Sequence, residues 1–259
     1  MKNKARKKTS PSNGTAGRKR KARGTKHDFP VRKEWFPLGE DTATSILKRI
    51  VVPVRNAVRE EEDPSVTKIA QDTRSPFRVL VSTVISARTK DEVTGAASER
   101  LFALAGDPVS MAGLTVTAIE KAIYPAGFYK VKAKAIKALA RKLIDDFDGK
   151  VPDTIEELVE LPGVGRKTAN LTVTLGFGIP GICVDTHVHR VTNRLGVVRT
   201  RNPEETEYAL RKVLPVRHWI EINDLLVMYG KAVCNPVSPK CSICVIEGLC
   251  RKVGVTRSR

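Results

Sequence analysis

Apolar residues in this chain recur at helical spacing almost throughout. Between Thr42 and Arg59 the run "ILKRIVVPVRNAV" predicts a helix, with Pro53 as its break. "DPSVTKIAQDTRSP" reads as a connection, and "FRVLVSTVISAR" (77–88), apolar nearly all round, as a buried helix. "DEVTGAASERLFALAG" follows, with Asp91 expected as N-cap and Gly106 as terminator. A short helix in "TVTAIEKAIYPAG" stops before Pro125. Residues 130–149 set Ile136, Leu139, Leu143 and Phe147 on one stripe. Thr154 and Glu157 stand at capping-box spacing in "DTIEELVEL". Helices are then expected from about Arg166 to Phe177 and in "THVHRVTNRLG", "PEETEYALRKVL" and "HWIEINDLLVMYGKAVC". Alternation of the strand type is nearly absent, although "GKVPD" and "GICV" could be briefly extended. About ten helices and an all-α fold are predicted.

Composition narrows the partner. With 259 residues, 41% of them hydrophobic, the chain can bury one large core or two modest ones. No run of 18 apolar residues occurs, so no membrane partner is expected. The formal net charge of +18 points to a polyanion, with nucleic acid ahead of acidic lipid. Residues 1–26 hold eleven Lys or Arg and no acid, leaving about +7 for the rest. Residues 1–28 are therefore read as a basic, solvated tail that strengthens DNA binding through counterion release. Its "RKRKAR" stretch would also suit a nuclear signal or an organellar presequence.

One stretch, "LPGVGRKTAN" (161–170), carries candidate chemistry. Pro162 fixes one φ, while Gly163 and Gly165 permit positive φ and leave no Cβ over the turn. Backbone N–H groups at Gly163, Val164, Gly165 and Arg166, opening a helix, suit a phosphate. Helix, glycine turn and helix together form a helix–hairpin–helix pattern, which grips DNA backbone without reading bases. Lys167 stands in the first turn beyond it. A helix over 166–177 carries the chain roughly 18 Å away, and residues 178–184, if extended, span about 23 Å back. Asp185 in "CVDTHVHR" can thus return beside Lys167, at the N-cap of the next helix. A partly desolvated amine would attack C1′ of a deoxyribose, with the carboxylate activating it and stabilising the charge that develops. His187 is read as orienting or phosphate-facing, and His189 as structural.

Five cysteines, at 183, 234, 241, 244 and 250, make an odd count that argues against a disulfide framework. The last four are spaced C-x6-C-x2-C-x5-C and need a positive centre, Zn²⁺ or an iron–sulfur cluster. Ligand chemistry alone leaves those two open. Cys183 is expected to be a packed thiol.

These motifs, in this order, resemble the endonuclease III family of DNA glycosylases with AP-lyase activity, within the helix–hairpin–helix superfamily. The resemblance runs from Pro76 to Cys250, about two thirds of the chain. It implies two helical domains flanking a DNA cleft: 69–179, with the hairpin, and 29–68 joined to 180–259. It also implies a [4Fe-4S] cluster on Cys234, Cys241, Cys244 and Cys250, with Lys167 as Schiff-base nucleophile and Asp185 as its partner. The implied substrate is double-stranded DNA carrying oxidised or otherwise damaged pyrimidines, flipped out, or abasic sites. The protein would act as a monomer, at the nucleoid in the cytoplasm of a prokaryote or in a eukaryotic nucleus. Arg88, in "SART", stands where many members have glutamine on a loop that fills the gap left by the flipped base. Phe128 occupies a wedge position that is often leucine. Lys240 is the one basic residue of "NPVSPK", a loop with a DNA contact in the family. Two alternatives are a monofunctional mismatch glycosylase for adenine or thymine, which would lack the lysine, and a non-enzymatic cluster-bearing DNA-binding protein.

Overall fold

The structure, a computed structural model, describes residues 31–259, so the basic tail of 1–28 lies outside the described residues. Those residues contain twelve α-helices and no strand. In chain order they are α1 (Glu40–Ala57), α2 (Ser65–Thr73), α3 (Pro76–Ser86), α4 (Asp91–Leu104), α5 (Pro108–Gly113) and α6 (Val116–Ile123). Then come α7 (Tyr129–Phe147), α8 (Ile155–Leu158), α9 (Arg166–Leu171), α10 (Thr186–Leu195), α11 (Pro203–Val213) and α12 (Glu221–Ala232). The protein is all-α. Neither "GKVPD" nor "GICV" forms a strand.

Several local expectations are corrected. Pro53 does not break α1, which runs through it. The stripe Leu47, Ile50, Val51 and Val54 is fully buried. Each such side chain contributes roughly 1.5–3 kcal/mol on burial, against about 3 kcal/mol for one interior proline. The supposed connection at 63–76 contains α2, because Val66 and Ala70 pack on Val79. Asp91 is not an N-cap, for Lys90 holds that position. Its carboxylate instead accepts from Ser65 N–H at 3.0 Å and Ser65 Oγ at 3.1 Å, tying α4 to the start of α2. The expected helix to Phe177 is regular only to Leu171 and continues as a π-helical turn over Thr172–Gly176. Thr172 and Thr174 hydroxyls there donate to the carbonyls of Thr168 and Asn170, which competes with the regular ladder.

Two apolar cores form within one compact unit. The first gathers α1, α10, α11 and α12 around Leu47, Ile50, Leu210, Leu226 and Tyr229, closed by Trp35 and Phe36. The second gathers α3 to α9 around Leu80, Leu101, Ile119, Ile136 and Leu143. Residues 177–185 cross from the second to the first. At the seam Thr67 Oγ1 of α2 donates to Asp224 Oδ2 of α12 at 2.8 Å.

Candidate active site

The glycine turn joins α8 to α9. Gly163 adopts a left-handed φ of 77°, and a Cβ there would lie 2.9 Å from the Ala135 methyl. Gly165 does not use positive φ as expected: it is the N-cap of α9 at φ −97°. No atom lies within 4 Å of where its Cβ would stand, so the missing side chain leaves open space before the helix. The Val164 side chain is buried in the second core, and its N–H donates to Leu161 O at 3.1 Å. Arg166 is committed to Glu207, with Nε and Nη2 at 2.9 and 3.0 Å from the two carboxylate oxygens. Glu207 is buried and also takes the Asn170 amide at 3.1 Å and the Arg211 Nε at 3.1 Å. One carboxylate of α11 therefore fixes the first and last turns of α9, the helix that carries Lys167.

The return of the chain brings Asp185 to Lys167. Nζ lies 3.9 Å from Asp185 Oδ2, the lysine side chain 52% exposed and the aspartate 12%. Asp185 caps α10: its Oδ1 accepts from the N–H groups of His187 and Val188 at 2.8 and 2.9 Å. The two N–H donors fix that carboxylate at the helix start, with its second oxygen turned to the amine. The lysine side chain is half exposed, so the partial burial expected of it is not seen in the protein alone.

Both residues open on a pocket of about 250 Å³, which His187, Asp91, Asn223, Asp224 and Lys231 also line. Burial lowers the His187 pKa, with Arg190 and Lys231 adding to the effect against Asp185. Its Nδ1 pairs with Arg190 Nη2 at 3.0 Å, and a Cβ on Gly230 would come within 2.6 Å of it. His189 is held by Thr206 Oγ1 at 2.7 Å, a structural contact. Burial raises the Asp224 pKa, opposed by hydrogen bonds from Thr67 and Asn223 and reinforced by Asp63 and Asp185. Cys183 is a buried thiol, pushed up to about 12 by burial. Asp224 was not singled out from sequence, where "EIND" reads as an ordinary polar first turn.

Arg88 and Phe128 meet at the surface. Both have left-handed backbone, φ 53° and 58°, and the guanidinium lies 5.5 Å from the ring centroid.

Cys234, Cys241, Cys244 and Cys250 line one pocket, together with Val233, Pro239 and a half-buried Lys240. Among the described residues no group of three or more His, Cys, Asp or Glu is arranged to hold a single ion. Donors aim at the sulfurs. Tyr229 Oη lies 3.2 Å from Cys244 Sγ, Arg194 Nη1 3.5 Å from Cys234 Sγ, and Lys252 N 3.4 Å from Cys250 Sγ. Such donors suit sulfur ligands that carry negative charge to a polynuclear centre.

Comparison with known proteins finds one family. The family model described as HhH-GPD superfamily base excision DNA repair protein matches residues 81–216. Endonuclease III of Thermotoga maritima is 47% identical over 175 residues, covering 68% of this chain and 82% of the relative. Endonuclease III homolog 2, chloroplastic, of Arabidopsis thaliana is 44% identical over 190 residues, 67% of this chain and 47% of that longer protein. A solved trapped endonuclease III–DNA covalent intermediate, an estranged-adenine complex, superposes with a TM-score of 0.72 at 33% identity. It covers 81% of this chain and 96% of its own.

Proposed function

The chain belongs to the HhH-GPD superfamily of base excision DNA repair proteins and is a DNA glycosylase and AP lyase of the endonuclease III type; from that premise we propose that Lys167 is its nucleophile and Asp185 its partner, acting on damaged pyrimidines and abasic sites in duplex DNA. The observation that carries the reading is the amine 3.9 Å from a helix-capping carboxylate, directly behind the glycine turn.

The amine, giving its proton to Asp185, forms an N–C1′ bond as the C1′–base bond breaks, and the base leaves with the electron pair and takes up a proton. Ring opening at C1′ yields the protonated Schiff base. Loss of a C2′ proton then expels the 3′ phosphate by β-elimination, and water releases Lys167. The Asp185 carboxylate offsets the positive charge that develops on the sugar before it takes up the amine's proton. On an abasic site the amine instead condenses with the open-chain C1′ aldehyde, losing water, and the elimination and release follow as before.

The N–H groups of Gly165 and Arg166 are proposed to hold a backbone phosphate over the open space at Gly165. The side chains of Val164 and Arg166, engaged elsewhere, take no part. His187 is proposed to orient the Asp185 loop. Arg88, Phe128 and Lys240 are proposed as further DNA contacts, with the two cores as domains on either side of the strand. The four cysteines fit a [4Fe-4S] cluster better than a single zinc ion, because they ring a pocket and receive donors at their sulfurs. Bound there, the cluster would supply structural cross-linking and balance the thiolate charge; no reaction step passes through it. The protein is proposed to work as a monomer wherever its DNA lies, nucleoid or nucleus.

Borohydride trapping tests this. With duplex DNA bearing an abasic site or an oxidised pyrimidine, the protein should form a covalent adduct that Lys167→Ala abolishes. Asp185→Asn should slow excision on the order of 10²–10⁴-fold. Base release without trapping would instead establish a monofunctional glycosylase.

A further inference from the structure

Lys132 lies one turn before the apolar stripe of α7, and only 7% of it is exposed. Its side chain runs beneath the turn between α3 and α4. Nζ donates to Ile85 O at 2.6 Å, Ala87 O at 2.6 Å and Thr89 Oγ1 at 2.8 Å. Three donors meet three acceptors, two of them carbonyls at the C-terminal end of α3, where a cation is favoured. Thr89 Oγ1 also accepts the N–H of Gly127 at 3.1 Å, which brings in the turn that precedes α7. The two turns are pressed together there: a Cβ on Gly127 would stand 2.3 Å from Arg88 O.

Above this anchor stand Arg88 and Phe128, the ring 60% exposed. Each is held in a left-handed conformation that side-chain-bearing residues seldom adopt. Neither belongs to an apolar core, and the contact they make is with each other, the guanidinium 5.5 Å from the ring centroid. Strain at exposed tips, held by a buried ammonium, is what a preorganised binding element requires.

We propose that Lys132 is a positioning residue that binds both turns from beneath and presents Arg88 and Phe128 as one rigid unit to the gap a departing nucleotide leaves in the duplex. This rests on the reading of those two residues as DNA contacts. The guanidinium would meet acceptors on the unpaired base, and the ring would stack on its neighbour. Because the unit is assembled before DNA arrives, binding does not spend energy ordering two loops.

The test compares two substrates in single turnover with the full chain: a damaged pyrimidine in duplex DNA, and an abasic site in a single strand. The second has no opposite base and no gap, yet needs the same Lys167 chemistry. Lys132→Met should slow duplex excision by at least about tenfold, as small misplacements of positioning groups do, while single-strand cleavage holds. Thr89→Val, which removes the shared acceptor but keeps the charge, should show the same bias more weakly, and it decides the matter if Lys132→Met does not fold. Loss of both activities in parallel, or of neither, overturns the proposal. Arg88→Ala and Phe128→Ala run alongside: if they leave duplex excision unchanged, the DNA-contact reading fails. If they slow it while Lys132→Met and Thr89→Val do not, only the positioning role fails.

Discussion

Lys132 and Lys167 show how one residue type is assigned different tasks by its surroundings. Lys167 is half exposed beside a carboxylate and free to reach a ligand. Lys132 is buried against neutral oxygens, and burial alone lowers its pKa from the ordinary 10.5 to about 8. Between those values the unfolded chain keeps the proton that the folded protein releases, so this group's contribution to stability grows as pH rises and is lost as pH falls through about 8. Relative to Lys132→Met, the native protein should gain stability from about pH 8 upward, with a slope of up to about 1.4 kcal/mol per pH unit. Urea titrations of both proteins across that range check it, and parallel curves would refute it. Positioning should move the opposite way, since a neutral amine has two N–H groups for three acceptors. Spacing made Lys167 and Asp185 legible in sequence, because reach depends on chain length alone. Spacing put the Arg166 N–H at the glycine turn, but no spacing rule shows that Glu207, forty-one residues on, takes the Arg166 guanidinium. A signal for Glu207 existed: it shares a helical stripe with the buried Leu210 and Val213.

Among the elements, long helices with clean apolar stripes were legible and short ones held by partners were not. α7 and α12 bury their stripes as their periodicity requires. α2 has nine residues and reads as a loop until Ser65 meets the carboxylate of Asp91, a contact between distant segments. α5 needed only its local cap, Asp107 with Ser110, and was passed over for being six residues long. The glycine turn was legible in kind but not in detail. Gly163 is required for its φ and for the approach of Ala135, whereas Gly165 faces open space, where the proposed phosphate would sit. The two should therefore respond differently to substitution. Gly163→Ala should destabilise the fold by about 1–3 kcal/mol through strain and crowding. Gly165→Val should leave the melting temperature nearly unchanged and weaken binding of duplex DNA by about tenfold or more, since a branched side chain displaces a phosphate. Calorimetry and fluorescence anisotropy on both variants separate the roles. A Gly165→Val protein that binds normally would rule out the turn as a clamp.

For the whole molecule, the site is assembled where two cores meet. Lys167 comes from a helix of the second core and Asp185 from the cap of a helix of the first, and Glu207 ties α9 to α11 across the seam. Relative placement of the cores thus sets the distance between amine and carboxylate, and the cysteine pocket bears on it. Arg190 and Arg194 of α10 bind the carbonyls of Cys234, Asn235 and Pro236, so the helix capped by Asp185 is held at its far side by the cysteine loop. Charge acts on another scale. Of the net +18, eleven positive charges lie in residues 1–26, a stretch that holds none of the proposed reacting groups. Their effect should therefore be on capture and not on chemistry. Deleting residues 1–28 should weaken binding to an abasic duplex at low salt and flatten the salt dependence, by up to about ten units of slope if every cation met a phosphate. Single-turnover cleavage by saturating enzyme should not change, because Lys167, Asp185 and the clamp remain. Binding isotherms over a salt series, beside single-turnover rates, resolve the two. An unchanged slope would mean that the +7 of the remaining chain already supplies the whole electrostatic attraction, and a slower chemical step would mean that the tail reaches the seam between the cores.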